Sequence, residues 1–564
     1  MAEQVTCDVL VVGSGAGGFS AAITARHHGL DVLMVEKAPL FGGTTCYSAG
    51  VIWIPGSAQA KAAGIKDSPA EALRYLESIA GNRLDRARAE AFLAKGPEML
   101  AFLEANTPVR YGLVPTWADY EPDLPGGSNG GRSLAPDVFD GRRLGKRFDQ
   151  LRPPLASMML FGGMMVGRTD LPHLYNMLRV PKSAWHALRM VARYGRDRLS
   201  WRRGTRLANG NGLIAALALA AEQKGIPLWL STPLVSLTEE GGRICGAMVR
   251  KEGRNVEIRA RRGVVLACGG FAGDEALKAR LYAHVAAGRA HQSLPPATNS
   301  GDGIRIATGA GAAFHEDVHY AAAWTPVSFL PQRDGTKLPF PHFLDRGKPG
   351  FIAVDRRGKR FVNEAKSYHV FVPAMIEACR GDAQAECWNI CDHAAIRRWG
   401  LGAAPPRPAR LKPYLASGYI ISGATPEELA ARIGIDPAGL AATIRTYNEG
   451  ARRGVDTAFG RGTDAYQRFN GAPGHLPNPC VAPLDRPPYY AVRLIPGDIG
   501  TFAGLRTDAA ARVLDGDGRP IAGLYAAGND MASVMGGTYP GAGITIGPAL
   551  TFGYIAGRQL AGMG

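Results

Sequence analysis

Near the N-terminus, Gly13-Ser-Gly15-Ala16-Gly-Gly18 spaces its glycines as a phosphate-binding turn requires. Glycines there allow a tight turn and let backbone N–H groups approach a pyrophosphate at the start of the next helix. Glu36 follows roughly 20 residues later, where a ribose hydroxyl needs an acceptor. Near the other end, Gly536-Gly-Thr-Tyr539-Pro540-Gly541-Ala-Gly543 sets a phenol and a backbone N–H four residues apart. That spacing, across a Pro-Gly pair, fits a tight turn that aims both groups one way.

The first motif needs a strand before it and a helix after it. Cys7-Asp-Val-Leu-Val-Val12 is a short apolar run that reads as the strand, and Phe19 to His28 is a small-residue helix. A second strand, Asp31 to Val35, leads into Glu36 and Lys37. Strand, turn, helix and acid in register predict nucleotide binding; a glycine-rich turn without a ligand is the plainer alternative. Four further segments select FAD over NAD. Gly43-Thr44-Thr45 and Ser48-Ala49-Gly50 follow soon after the acid. A buried-strand pattern from Gly263 ends at Gly269-Gly270. Gly301-Asp302-Gly303 opens a helix, with Asp302 either touching the cofactor or capping that helix. Asn529 and Gly547 return near the C-terminus. A cofactor held from both ends of the chain fits an extended FAD, and no second G-x-G-x-x-G with a trailing acid marks a separate NAD domain.

The fold class expected is α/β: a Rossmann-like FAD-binding domain with an inserted α+β substrate-capping domain. Residues 1–324 and 498–564 form the first, and 325–497 the second. Small strands near 227–236, 243–250 and 255–259 are expected to form a small antiparallel unit before Val264 to Leu266. Eight cysteines in 564 residues make no disulfide or metal framework, so reduced thiols and no metal are expected. The first residues lead straight into a structural strand with no secretory signal, and no run is long enough to span a bilayer. A cytoplasmic protein is expected.

The net charge of +16 calls for an anionic partner or a reason to do without one. It concentrates in 155–206, where Arg189, Arg193, Arg196, Arg198, Arg202, Arg203 and Arg206 crowd together. Trp185, Leu188, Ala192 and Leu199 recur there at helical spacing, and the apolar stretch Met158 to Val166 lies upstream. Such a segment either packs its apolar side on the core or lies on the inner face of a membrane as a peripheral contact. Nucleic acid is not expected, since no nucleic-acid fold signature accompanies the charge.

These motifs, with Asp119-Tyr120-Glu-Pro-Asp-Leu-Pro-Gly126, Arg360-Phe-Val-Asn-Glu364 before Tyr368, and Pro496-Gly-Asp-Ile-Gly500, resemble the fumarate reductase/succinate dehydrogenase flavoprotein superfamily. Within it the chain is similar to the 3-ketosteroid Δ1-dehydrogenases over nearly its whole length. The resemblance implies non-covalent FAD, a 3-ketosteroid substrate and a quinone or other electron acceptor. It implies that Tyr539 and the Gly543 N–H hold the C3 carbonyl, that Tyr368 takes the C2 proton beside Tyr120, and that a hydride leaves C1 for the flavin. Tyr320 and Tyr466 are rivals for Tyr368, and Tyr111 for Tyr120. Ala542 stands where the family often has proline. The arginine and histidine clamps of dicarboxylate reductases are missing, since no arginine occurs from Asn529 to Gly557. A substrate site without a cation is therefore expected. A flavin-dependent enone or activated-alkene reductase, and a basic peripheral flavoprotein without catalysis, are the competing readings.

Overall fold

The computed structural model describes residues 3–563. A mainly parallel sheet runs in the order Arg512–Leu514, Pro520–Ala526, Arg243–Lys251, Arg254–Leu266, Glu3–Val12, Val32–Val35, Leu228–Trp229. Glu3–Val12 lies between Arg254–Leu266 and Val32–Val35, parallel to both. Val9, Leu10 and Val11 are fully buried, as a strand covered on both faces demands. The expected antiparallel unit is present, with Leu234–Glu240, Arg243–Lys251 and Arg254–Leu266 pairing in that order, and it is continuous with the main sheet. Arg254–Leu266 is one strand of 13 residues, paired antiparallel with Arg243–Lys251 at its start and parallel with Glu3–Val12 along its length.

The helix Ala16–His27 is buried along most of its length and packs on the C-terminal helix Ile546–Leu560. Their contact is close because both sides are small: a Cβ on Gly553 would stand 2.3 Å from the Gly17 carbonyl oxygen. The two ends of the chain therefore meet beneath the nucleotide turn.

A second sheet runs Lys337–Pro341, Ala322–Pro331, Tyr489–Thr501, Cys387–Asp392, Phe351–Val354. The chain passes between the sheets along two paired antiparallel strands, with Thr325 opposite Gly497. Below this sheet, Arg360 pairs with Glu364 at 2.6 Å and with Asp456 at 2.8 Å, all three buried. Glu364 also accepts the Ala353 N–H at 3.0 Å, which ties the Arg360–Glu364 motif to the sheet. The helix Tyr368–Ala378 begins four residues later with Ser367 as its N-cap.

In the 155–206 segment, helices Leu171–Asn176 and Pro181–Asp197 form a surface layer. The apolar side expected to meet the core or a membrane is turned outward. Leu199 is 84% exposed, Phe161 70%, Leu178 65% and Trp185 61%. No helix among the described residues is long and apolar enough to cross a membrane. All eight cysteines are free.

Candidate active site

The strand Glu3–Val12 ends at Gly13, whose φ of 109° suits glycine and whose absent Cβ would lie 2.1 Å from the Ala267 carbonyl oxygen. The turn then runs into the helix at Ala16. The Glu36 carboxylate accepts the Ser14 N–H at 3.1 Å and the Ala38 N–H at 2.9 Å, so the acid is fixed at the rim of the turn. Ser48 accepts the Gly50 N–H, and Thr45 accepts the Ala16 N–H. Asn299 donates to Thr44 and to the Gly269 carbonyl. The buried Asp530 carboxylate accepts the N–H groups of Cys268 and Gly270 and so holds that loop against the turn.

Most of these groups line one cavity of about 960 Å³. Its wall includes Gly13, Gly15, Ala16, Glu36, Lys37, Gly43, Thr44, Thr45, Ser48, Ala49, Gly50, Gly269, Gly270, Asp302 and Asn529. Two glycines expected there lie outside it. A Cβ on Gly18 would meet the Gly13 carbonyl oxygen at 2.1 Å, and one on Gly547 the Trp53 carbonyl oxygen at 3.0 Å. At both, the missing Cβ lets backbones pack closely. Asp302 does not cap its helix, since Gly301 occupies that position; its carboxylate pairs with Lys37 and with Arg305. The residues fit FAD: an acid at the ribose position, glycines where phosphate must approach, and a long cavity leading onward. Gly13→Ala is expected to yield protein without the yellow flavin absorbance, checked as the ratio of visible to ultraviolet absorbance after purification. The substitution puts a methyl group on a carbonyl oxygen in a backbone conformation that L side chains avoid.

Further along the same cavity stand Tyr120, Tyr368, Tyr539 and Gly543. The Tyr120 and Tyr368 hydroxyls are 3.0 Å apart. The Tyr120 ring lies parallel to that of Tyr539, 5.3 Å between centroids and 5° between planes, and Tyr368 meets Tyr539 edge-on at 5.4 Å. The two distant loops are stitched by backbone. The Tyr120 N–H donates to the Pro540 carbonyl at 2.8 Å, and the Tyr75 hydroxyl donates to the same oxygen. Below Tyr120, the buried Asp119 accepts from Trp53 and Arg132 at 2.8 Å each. Burial raises its pKa to about 6 despite Arg132. Glu121 pairs with Lys366, which links the Tyr120 loop to the residues just before Tyr368. Among the described residues the Gly543 N–H donates to no protein acceptor.

Burial raises the pKa of all three tyrosines. The hydroxyl contact with Tyr368 opposes the rise at Tyr120. His369, one residue on and 5.4 Å from the Tyr539 ring, is pushed down to about 3 by burial and is neutral. The rival tyrosines separate clearly. Tyr111 donates to the Gly50 carbonyl, and Tyr320 is 39% exposed beside His369. Tyr466 packs 4.6 Å from Tyr120. Tyr490 bonds His393, and neither it nor Tyr489 lines the cavity.

Besides Lys37, three arginines line the cavity that joins cradle and chamber: Arg168, Arg407 and Arg410. Arg168 comes from the 155–206 segment, and its guanidinium lies 3.5 Å over the Trp117 ring and 4.7 Å from Phe469. Aromatic faces let the charge sit in the interior. Leu160, Leu174 and Met177 from the same segment line it together with Phe340 and Phe343. Only the apolar run Met158–Val166 hinted at it, and that run has no strand or helix period to point it inward.

Fold and cradle define an FAD-dependent oxidoreductase with a substrate chamber. The FAD binding domain family model matches residues 8–546. The chain is 40% identical to 4-oxocyclohex-2-ene-1-carboxylate 5-dehydrogenase of Sinomonas cyclohexanicum, over 99% of this chain and 94% of that protein. It is 38% identical to 3-oxosteroid 1-dehydrogenase of Mycobacterium tuberculosis, over 98% of each. The crystal structure of 3-ketosteroid Δ1-dehydrogenase from Sterolibacterium denitrificans with 1,4-androstadiene-3,17-dione superposes with a TM-score of 0.90, at 37% identity over 99% of this chain and 100% of that one. The chain belongs to the FAD binding domain family, in the branch that holds the 3-oxosteroid 1-dehydrogenases and their oxocyclohexane-ring relatives.

Proposed function

We propose that the protein is an FAD-dependent 3-ketosteroid Δ1-dehydrogenase. The observation that carries this reading is the juxtaposition of the three tyrosines with Gly543 at the base of a long apolar chamber. Tyr539 and the Gly543 N–H donate to the C3 carbonyl and stabilise the negative charge that forms there as C2 is deprotonated. The C2–H bond breaks, its electron pair moves toward C2–C3, and the proton passes to the Tyr368 oxygen. For that oxygen to accept a proton, the Tyr120–Tyr368 pair must already have given one up, with Tyr120 donating to the Tyr368 phenolate. FAD, when bound, supplies the two-electron acceptor for the C1 hydride. Residues 325–497 cap the substrate, and the 155–206 segment, counted with the FAD domain, adds the chamber's outer wall. A single-ring oxo-acid is the second reading, favoured by Arg168, which forms no ion pair among the described residues; a tetracyclic ketone better matches the apolar lining that Met158, Leu160, Leu174 and Phe343 supply. Comparing kcat/KM for androst-4-ene-3,17-dione, cholest-4-en-3-one and 4-oxocyclohex-2-ene-1-carboxylate tests the choice. A steroid is expected to lead.

A quinone or another oxidant serves as electron acceptor, and the protein acts in the cytoplasm against the inner face of the membrane. Support comes from Trp185, Leu188 and Leu199, exposed beside the exposed Arg189, Arg196, Arg198 and Arg202. Vesicles containing anionic lipid should retain the protein at low salt and release it as salt rises. The triple change W185S/L188S/L199S should weaken retention about tenfold or more, by removing apolar area from the contact. Sedimentation with vesicles measures both.

A further inference from the structure

We propose that Ser328, His342, Asp345 and Tyr419 form a closed hydrogen-bonded ring that positions the 400–410 loop, and that this ring sets how long a steroid side chain the chamber accepts. The inference rests on the 3-ketosteroid reading above. Ser328 Oγ lies 2.8 Å from His342 Nε2, and His342 Nδ1 lies 2.6 Å from Asp345 Oδ2. Serine, histidine and aspartate in that order are the pattern of a nucleophilic triad. Here the serine is no nucleophile. It is buried, its oxygen also meets the Tyr419 hydroxyl at 2.8 Å, and neither Ser328 nor His342 lines the cavity. The ring closes on the loop instead. The Ala403 N–H donates to the Tyr419 oxygen at 2.8 Å, and the Gly402 N–H to Asp345 Oδ2 at 3.2 Å. One set of hydrogen positions runs through the whole ring: Ala403 N–H to Tyr419, Tyr419 O–H to Ser328, Ser328 O–H to His342 Nε2, and His342 Nδ1–H to Asp345.

The ring stands on the second sheet. Ser328 lies in Ala322–Pro331, opposite Phe340, and Tyr419 precedes the strand Ile421–Gly423, which pairs with Tyr489–Thr501. Gly402 leaves room for it. Its φ is 57°, and a Cβ there would stand 2.2 Å from the Tyr419 hydroxyl oxygen and 2.9 Å from His342 Cε1. The loop's other backbone bonds run within itself or to the preceding helix His393–Trp399, as from the Arg407 N–H to the Arg397 carbonyl. The ring is therefore what ties the loop to the sheet. Residues 402–410 all line the cavity, from the half-buried Gly402 to the exposed Arg407, Pro408 and Arg410, so the loop runs from the chamber wall to its mouth. Just before it, Trp399 meets Tyr175 edge-on at 5.6 Å, and Arg398 donates to the Tyr175 carbonyl and to Asn176. The same end of the loop thus borders the surface layer at Leu171–Asn176. A steroid held by its C3 carbonyl at Tyr539 points its C17 end away from the tyrosines and toward this mouth. A C17 ketone stops short of the loop, and a long alkyl side chain must pass it.

The test compares the wild-type holoenzyme with S328A and Y419F, each of which removes one hydroxyl from the ring. KM for cholest-4-en-3-one is expected to rise about tenfold, the size of one lost buried hydrogen bond. KM and kcat for androst-4-ene-3,17-dione should stay as they are. Trypsin should cut faster after the exposed Arg410 in both variants, read from fragment masses, because the loop opens more readily. S328T, which keeps the hydroxyl, should restore both readouts. Flavin content confirms that each variant is folded. An unchanged ratio of the two KM values overturns the proposal whatever the cleavage rate; equal losses on both steroids, the mark of a merely structural role, are one form of that result. Covalent labelling of Ser328 by a fluorophosphonate also overturns it, by making the serine a nucleophile. A wild-type enzyme that oxidises neither steroid overturns the functional reading and the selectivity with it, and the trypsin rate then decides whether the ring holds the loop.

Discussion

Tyr539→Phe is expected to lower kcat/KM for a 3-ketosteroid by about 10²–10³, the usual effect of losing one donor to a developing oxyanion. The substitution removes one oxygen and leaves the ring. Phenylalanine keeps the parallel stack on Tyr120 at 5.3 Å and the edge contact with Tyr368 at 5.4 Å. The backbone link from the Tyr120 N–H to Pro540 does not involve the side chain. Flavin binding and thermal stability should therefore change little, and only Gly543 remains to hold the carbonyl. The fall should appear in the anaerobic rate of flavin reduction, because the lost interaction strengthens as charge forms on the oxygen. A variant that reduces its flavin at the wild-type rate would remove Tyr539 from the carbonyl.

Tyr368→Phe should be at least as severe. Removing a positioned general base lowers rates by about 10²–10⁴, and the neighbouring His369 does not replace it: it is neutral, buried, and accepts the Trp324 N–H through Nδ1. Tyr120→Phe should be milder, since Tyr120 acts on the Tyr368 oxygen through one hydroxyl contact. The order Tyr368 worse than Tyr120, measured as flavin reduction and as C2 exchange in D2O, is the checkable consequence. Equal losses, or the reverse order, would assign the base to Tyr120.

The nucleotide turn was legible because its chemistry dictates residue types. Phosphate approach demands glycine at Gly13, and the carbonyl of Ala267 now occupies the space a side chain would need. At Gly18 and Gly547 the same residue type also lets backbones pack closely, against Gly13 and Trp53. Tyr539 and Gly543 stood together in one short run. Tyr120 and Tyr368 are 248 residues apart, and only a family resemblance could suggest that their hydroxyls meet. Arg168 was missed for a physical reason. Its partners Trp117 and Phe469 lie far away in sequence, and its neighbours form a basic segment that reads as surface. The outer face of that segment is indeed exposed, yet its other face lines the chamber. Helical spacing in a sequence shows that a stripe exists and says nothing of which side turns inward. The fusion of two expected strands into Arg254–Leu266 has a similar origin, since pairing partners on either side decide where a strand ends.

The most direct measurement is anaerobic mixing of the purified yellow protein with androst-4-ene-3,17-dione, and separately with cholest-4-en-3-one, while following the flavin absorbance. Rapid bleaching by either steroid is the predicted result, and the faster of the two reports the length of the chamber. Absence of bleaching by both, with re-oxidation of dithionite-reduced flavin by a 1,4-dien-3-one or another enone, would contradict dehydrogenation and make the protein a reductase. Bleaching by 4-oxocyclohex-2-ene-1-carboxylate alone would keep the chemistry and contradict the steroid.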